Sequence, residues 1–176
     1  MSDASTQAQC FLLIKTNLNA HRVLKGAILP LKELEWAAVI YGPYQIAAYV
    51  TSDDERSLTN TIETLRAERP ILELDVRRCK RLPEDDELGS IQGHPRKAIQ
   101  ACLLINVDYR EEKERIVTVA LRKLQGVRLA RAMWGPSDII AVVEAQNHEA
   151  MRNLICDEIK VMKGVANNCT LFCYPD

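Results

Sequence analysis

The sequence lacks the short motifs that mark the commonest catalytic sites. It contains no Gly-rich phosphate loop of the GxxxxGK[ST] or GxGxxG type and no GxSxG nucleophile turn. Its three histidines, His21, His94 and His148, have no nucleophile or carboxylate partner at motif spacing. We therefore predict that the chain is not an enzyme, and that it has no catalytic residues and no cofactor.

The sequence also lacks a large excess of charge of one sign, and it lacks long apolar runs. The 176 residues carry a net charge of −1, and no cluster of Lys and Arg suggests a phosphate-binding face, so direct nucleic-acid binding is not expected. The longest apolar stretch near the N-terminus, FLLI at 11–14, is too short to cross a bilayer or to serve as a signal sequence. We expect a globular cytoplasmic protein without a membrane contact.

The six cysteines show no metal-binding or disulfide pattern. They include no CxxC pair and no Cys/His cluster at zinc spacing, so a metal site is not predicted. Cys169 and Cys173 share a strand face, but four residues of strand separate their Cα atoms by about 13 Å, too far for a disulfide. We expect reduced thiols that pack as small hydrophobic groups.

What the sequence does have is an internal duplication. Residues 11–79 and 102–173 follow the same order of strand, helix, strand, strand, helix and strand. The segments YGPYQIAAYV (41–50) and WGPSDIIAVV (134–143) align without a gap at an offset of 93 residues. A period near 90 residues suits two fused domains of one fold. We predict a first domain at 9–82, an exposed linker at 83–97 and a second domain at 98–176.

Helix ends are marked by capping and stop signals. Ser52 with Glu55 forms a capping-box pattern before the second helix of the first copy, and Asn147 is placed to cap the last helix of the second copy. Gly126 and Gly164 supply stop signals after the two helices of the second copy. These signals place the helices between the strands of each copy.

This element order predicts a ferredoxin-like βαββαβ unit, in which both helices cover one face of a four-stranded antiparallel sheet. Strands such as 101–107 and 36–41 are apolar on both sides, whereas a half-exposed strand would alternate apolar with polar residues. The helix-free face should therefore be covered. We predict an α+β fold of two tandem units that pair sheet to sheet as a dimeric α+β barrel, within one chain or between two. Trp36 and Trp134 are predicted to be core or interface anchors.

The aromatic-Gly-Pro turn and the closing strand resemble a known family. WGPSDIIAVV with GVANNCT (164–170), and in part YGPYQIAAYV, are similar to the effector-binding (RAM) domain of the Lrp/AsnC transcription regulators. The resemblance covers about 150 residues as two copies. It implies an amino-acid-responsive protein that assembles through its sheets, with small effectors bound between domains near this turn and the final strand.

Two departures from the family pattern change what is expected. The first strand begins near residue 9, so the family's N-terminal helix-turn-helix is not expected and direct DNA reading is not predicted. The motif aspartate is Asp138 in the second copy but Gln45 in the first. The closing polar residues Asn168 and Thr170 have no polar counterpart in the first copy. A surviving ligand site should therefore be built mainly by the second copy.

The chemistry of an amino-acid site can be assigned to particular residues. Asp138 could accept the ammonium group, while backbone N–H groups after Gly135 and the side chains of Asn168 and Thr170 could hold the carboxylate. The alternative is that Asp138 satisfies turn N–H groups and the glycines serve the turn geometry. The complete predicted ligand site comprises Gly135, Ser137, Asp138, Asn168, Thr170, Gly42 and Gln45.

The sequence therefore favours a non-catalytic, ligand-sensing regulatory protein. Its expected partners are a small-molecule effector such as an amino acid, further copies of itself in an even-numbered homo-oligomer, and full-length regulators of the Lrp/AsnC type. An enzyme on the same barrel, monooxygenase-like or haem-handling, is the first alternative, because a fold does not settle a function. A purely structural interaction module is the second.

Overall fold

The computed structural model describes residues 7–87 and 98–174 of the chain. It divides into two compact units, with the boundary between Cys79 and Lys80. Each unit contains one four-stranded antiparallel sheet with its own connecting helices. The predicted fold class, two tandem ferredoxin-like α+β units, is thereby confirmed.

The first unit has the strand order β2-β3-β1-β4. Its strands are β1 (Ala8–Thr16), β2 (Leu34–Val39), β3 (Ile46–Ser52) and β4 (Ile71–Arg78). Its helices are α1 (Ala20–Val23), which continues as a π-helical turn over Leu24–Ile28, and α2 (Glu55–Ala67).

The second unit has the same order, β6-β7-β5-β8. Its strands are β5 (Ile99–Val107), β6 (Val127–Ala132), β7 (Ile139–Ala145) and β8 (Val165–Phe172). Its helices are α3 (Glu114–Arg122) and α4 (His148–Arg152), the latter continuing as a π-helical turn over Asn153–Ile159. The two central strands, β1 and β5, therefore hold equivalent positions.

Each unit has a core between its helices and one face of its sheet. In the first unit Leu12 and Ile14 of β1 pack with Leu58 and Leu65 of α2. In the second, Leu103 and Ile105 of β5 belong to the corresponding cluster. Burial of these aliphatic side chains is the main stabilising contribution in each unit, at about 25 cal/mol per Å² of apolar surface.

The opposite, helix-free faces of both sheets are buried as well. Phe11 and Leu13 alternate with the core residues of β1 and are 0% exposed, as is Ile140 on β7. Trp36 on β2 is 2% exposed. The prediction that these faces are covered is confirmed, and it explains why the strands are apolar on both sides.

The helix ends agree with the sequence signals in all but one case. Asn147 caps α4 by accepting the N–H of Ala150 at 2.8 Å, as predicted. The N-cap of α2 is Asp54 and not Ser52: its carboxylate accepts the N–H of Ser57 at 2.8 Å. Asp54 is the N-cap because it lies three residues before Ser57, the residue whose N–H needs an acceptor. Ser52 cannot take this role because it is still the last residue of β3.

The segment after Cys79 belongs to the second unit. Lys80 donates its backbone N–H to the carbonyl of Ala132, and Pro83–Glu87 forms a short 3₁₀-helix. The carboxylate of Asp85, 6% exposed, pairs with the guanidinium groups of Arg122 and Arg131. The predicted linker 83–97 therefore begins with a segment that is anchored by ion pairs. Its remaining residues, 88–97, lie outside the described residues, as does His94.

All six cysteines lie within the described residues, and none of them forms a disulfide there. Across the described segments, no helix is both long and apolar enough to traverse a bilayer.

Candidate functional site

The aromatic-Gly-Pro segment forms the same turn in both units. It connects β2 to β3 in the first unit and β6 to β7 in the second. Gly42 and Gly135 have φ angles of 147° and 140°, in the positive region that other residues rarely adopt. The glycine of this motif is therefore explained by the turn geometry in both copies.

The residue three positions after that glycine has one structural role in both units. Asp138 accepts the backbone N–H of Val107 through Oδ2 at 2.8 Å, and Gln45 accepts the N–H of Thr16 through Oε1 at 3.1 Å. Thr16 and Val107 lie beyond the last residues that β1 and β5 pair with β3 and β7, so their N–H groups on that side have no strand partner. The side-chain oxygen replaces the missing strand carbonyl.

Asp138 also belongs to a polar cluster that has no equivalent described in the first unit. The hydroxyl of Tyr109 donates to Asp138 Oδ1 at 2.8 Å and lies 3.1 Å from Glu114 Oε2. Lys80 Nζ pairs with both oxygens of Glu114 at 2.7 and 2.8 Å and stands 4.3 Å from the ring centroid of Trp134. We call Lys80, Tyr109, Glu114, Trp134 and Asp138 the Trp134 cluster.

Four chain segments position this cluster. Tyr109 follows the end of β5, Glu114 is the first residue of α3, and Trp134 and Asp138 lie on the turn between β6 and β7. Lys80 comes from the segment that enters the second unit. The cluster therefore depends on the tertiary fold of the whole second unit.

The environment of Tyr109 keeps its hydroxyl protonated. Partial burial, followed by the hydrogen bonds to Asp138 and Glu114, raises the pKa of the Tyr109 phenol well above its usual range. Tyr109 is thus a hydrogen-bond donor at neutral pH. Tyr109 as a residue is 57% exposed and Trp134 is 65% exposed, so both residues are accessible in the described chain.

The other predicted ligand residues are not gathered around Asp138. Asn168 and Thr170 pair with Ile105 and Leu103, which places them on the helix-covered face of β8. Because β5 lies between β7 and β8, they are about two strand spacings, roughly 10 Å, from the turn. Ser137 is half-buried on the turn itself. The structure thus brings together Gly135, Ser137 and Asp138, and leaves Asn168 and Thr170 apart.

Sequence reasoning missed three members of the cluster. Tyr109 and Glu114 lie in a charged loop and helix start, and Lys80 stands 54 residues before Trp134, so no local spacing links them. Trp134 was predicted to be a core or interface anchor, but it is not a core residue. The alignment of the two copies already separates the two tryptophans, because Trp134 aligns with Tyr41 and not with Trp36. In the structure Tyr41 is exposed and Trp36 is buried.

Comparison with known proteins gives the fold but no family. No protein-family model and no curated protein sequence matches the chain. Among solved structures, the siroheme decarboxylase NirDL matches with a TM-score of 0.64 at 11% identity, covering 96% of this chain and 72% of that one. A mutant chlorite dismutase from Candidatus Nitrospira defluvii matches with a TM-score of 0.56 at 12% identity, covering 97% and 92%.

A regulator of the kind suggested by the sequence is also similar, but less so. A transcriptional regulator from Neisseria meningitidis in complex with L-Met has a TM-score of 0.39 at 17% identity, covering 70% of this chain and 71% of that one. Such likenesses concern the fold alone. The Lrp/AsnC resemblance therefore stays a resemblance.

The prediction that the chain is not an enzyme is wrong. A siroheme decarboxylase and a chlorite dismutase, which match nearly the whole chain, are enzymes and share its fold. The absence of a short catalytic motif misled the prediction, because on this architecture polar groups are brought together by tertiary contacts and not by sequence spacing.

One related structure of the decarboxylase holds an iron-uroporphyrin III analogue, which raises the question of a bound iron tetrapyrrole. Within the described ranges there is no group of three or more His, Cys, Asp or Glu side chains arranged for a metal ion. The two described histidines, His21 and His148, lie in helix starts of separate units, and neither is buried. These residues do not fit a resident iron tetrapyrrole held by a buried histidine.

Proposed function

We propose that this chain is an enzyme whose chemistry takes place at the Trp134 cluster, on a small planar ketone-like substrate. The observation that carries the proposal is the placement of the Tyr109 hydroxyl between two carboxylates, 2.8 Å from Asp138 and 3.1 Å from Glu114. A carboxylate base beside a protonated phenol is an arrangement that can abstract a proton next to a carbonyl and stabilise the resulting oxyanion. The chain also shares its fold, over nearly its whole length, with proteins that are enzymes, which supports an enzymatic function in general.

Each group of the cluster has a distinct role in such a reaction. A phenol has one proton, so Tyr109 donates to one acceptor at a time. When a substrate carbonyl oxygen takes the Tyr109 hydrogen bond, Oδ1 of Asp138 regains a free lone pair. Asp138 then accepts the proton from the carbon next to the carbonyl, and the electron pair of that C–H bond moves onto the carbonyl oxygen as an enolate, which Tyr109 stabilises.

Lys80 and Trp134 shape the site around this pair. Lys80 pairs with both oxygens of Glu114, so Glu114 is already occupied and Asp138 is the carboxylate with spare capacity. Trp134, with two thirds of its surface exposed, offers an apolar ring on which a planar substrate can stack. The proposed substrate takes the place of the predicted small-molecule effector.

The test uses 2-indanone, a planar aromatic ketone, in deuterated buffer. We expect the protein to accelerate deuterium incorporation next to the carbonyl, measured by NMR, and Tyr109→Phe to reduce the rate at least about tenfold, since a positioned acid contributes a factor of about 10² or more. Tyr174→Phe removes a partly exposed hydroxyl from the same unit and should leave the rate unchanged. Exchange no faster than in buffer, or an unaltered rate in Tyr109→Phe, would overturn the proposal.

Regulatory partners and the even-numbered homo-oligomer stay predictions from the sequence. An enzyme can also have such partners and assemble in this way.

A further inference from the structure

We propose that the helix-free face of the first unit carries a second ligand site, at which Arg77 binds a small carboxylate. The site lies on β1 and β4 and uses no residue of the Trp134 cluster. It is therefore independent of the function proposed above.

A row of charged and polar side chains lies along this face. Lys15 of β1 pairs with Glu73 of β4, and Arg77 grips Asp75 through its Nε and Nη2 groups. Tyr44 donates its hydroxyl to Asp75 at 2.9 Å. We call Lys15, Tyr44, Glu73, Asp75 and Arg77 the charged track.

The charged track leads from solvent to a buried donor. Side-chain exposure falls along β4 from 48% at Glu73 to 24% at Asp75 and 9% at Arg77. At the inner end, Nη1 of Arg77 is buried and has no hydrogen-bond partner. A buried N–H donor without an acceptor is costly, and a ligand, an ion or a water molecule can supply the acceptor.

The duplication provides an internal control for what the fold itself needs. Strand register matches Arg77 with Leu171 and Asp75 with Cys169, because Arg77 and Leu171 pair with the equivalent residues Phe11 and Cys102. At the mouth, the Lys15–Glu73 ion pair corresponds to the hydrogen-bonded pair Asn106 and Asn167. The second unit thus pairs β5 with β8 without an ion pair at the positions of Arg77 and Asp75, although its β6 residue Arg131 forms a buried ion pair with Asp85.

The comparison shows that the pairing of the edge strand with the central strand does not by itself call for the charged track. A buried ion pair is often no more stabilising than apolar residues of similar size, because the charges must be stripped of water. Leu171 and Cys169 take the same places in the second unit, so strands of this sheet can pair without an Arg–Asp ion pair at those two positions. The remaining free donor of Arg77 then points to ligand binding.

The charges of the charged track select the ligand class. Lys15 and Arg77 balance Glu73 and Asp75, so the track is neutral in the absence of a ligand. The free edge of a guanidinium donates to an oxygen acceptor, and a carboxylate adds one negative charge beside two existing carboxylates. A phosphate dianion would add two and be repelled more strongly. A small monocarboxylate fits best.

The experiment measures acetate and benzoate binding by calorimetry and by NMR shifts, with inorganic phosphate as the comparison. Wild-type protein and Arg66→Leu, which removes an exposed arginine of the same unit, should bind the carboxylates saturably. The double variant Asp75→Cys/Arg77→Leu, which copies the second unit, should fold and lose at least about tenfold in affinity. Retained affinity in the double variant, or no saturable carboxylate binding by wild type, overturns the proposal.

Two further variants keep the test decisive. If the double variant does not fold, Arg77→Lys replaces it in the test. This variant retains the positive charge but loses the planar guanidinium group. A carboxylate affinity of Arg77→Lys equal to that of wild type would overturn the proposal. Tyr109→Phe should leave acetate affinity unchanged. A loss of acetate binding in Tyr109→Phe would place the probe at the Trp134 cluster and likewise overturn the assignment to Arg77.

Discussion

Gln45 and Asp138 occupy the same place in the two units and accept a backbone N–H from the same point of the central strand. Gln45 Oε1 receives the N–H of Thr16 at 3.1 Å and Asp138 Oδ2 receives that of Val107 at 2.8 Å. A residue that differs in charge between the copies therefore shares one structural role. The additional contact of Asp138, to the hydroxyl of Tyr109, is what distinguishes the second copy.

The first prediction separates these two roles of Asp138. Asp138→Gln should retain the fold with little loss of stability, because Gln45 performs the same backbone contact in the first unit. Asp138→Ala leaves the buried Val107 N–H without an acceptor and should cost about 1–3 kcal/mol of unfolding free energy. Urea titration monitored by circular dichroism measures both. Equal losses in the two variants would show that the Val107 contact contributes little.

The second prediction concerns Gly164. Its φ is +89°, and a Cβ added at this position would lie 2.6 Å from Glu112 Cβ and 2.8 Å from Val117 Cγ2, so there is no room for a side chain. Gly164→Ala should lower stability by at least about 1–2 kcal/mol, the cost of the left-handed conformation alone. Gly26→Ala is the matched control, since nothing lies within 4 Å of its added Cβ and it should be neutral or mildly stabilising. Thermal melts of the two variants should differ clearly.

The third prediction is a pH dependence from the N-cap of α2. The N–H and hydroxyl of Ser57 both donate to Asp54 and hold the pKa of its carboxyl below the usual value. A depressed pKa stabilises the fold above the unfolded pKa of about 3.9, and this contribution is lost as pH falls through the folded value. Asp54→Asn keeps an acceptor that does not titrate. As the pH falls below about 4, the Tm of wild type should therefore decrease relative to that of Asp54→Asn. A pH-independent difference would contradict this.

The fourth prediction concerns thiol reactivity. Burial raises the pKa of Cys10 to about 12 and that of Cys102 still further. Because the thiolate is the reacting form, both should resist iodoacetamide in the native protein at pH 8. Cys169 is exposed and should be alkylated first. Mass spectrometry of peptides after timed labelling gives the order, and early modification of Cys102 would show that the second sheet opens.

Most of the fold could be predicted because the sequence contains the same unit in two copies. Each copy repeats strands of matching apolar pattern, and the ungapped match around Gly42 and Gly135 fixed the element order without any structure. The cap of α2 was assigned to Ser52, since a capping-box pattern cannot show where β3 ends. The segment from Lys80 to Glu87 was assigned partly to a linker, because polar composition does not reveal the ion pairs of Asp85.

The candidate site could be predicted only in part. Asp138 was found because it lies in a repeated turn. Asn168 and Thr170 were grouped with it although β5 separates them from the turn. Tyr109, Glu114 and Lys80 could not be found, since their relation to Asp138 is a matter of side-chain distance across a loop, a helix start and a chain entry point.

The sequence by itself determined two ferredoxin-like units with sheets that are apolar on both faces, because hydrophobic periodicity and turn glycines act locally and are repeated. Tertiary structure alone decided where the charges meet: Tyr109 between two carboxylates in the second unit, and Arg77 with an unpaired donor in the first. Hydrogen bonds and ion pairs act over about 3 Å, and only the folded chain brings residues so distant in sequence within that range.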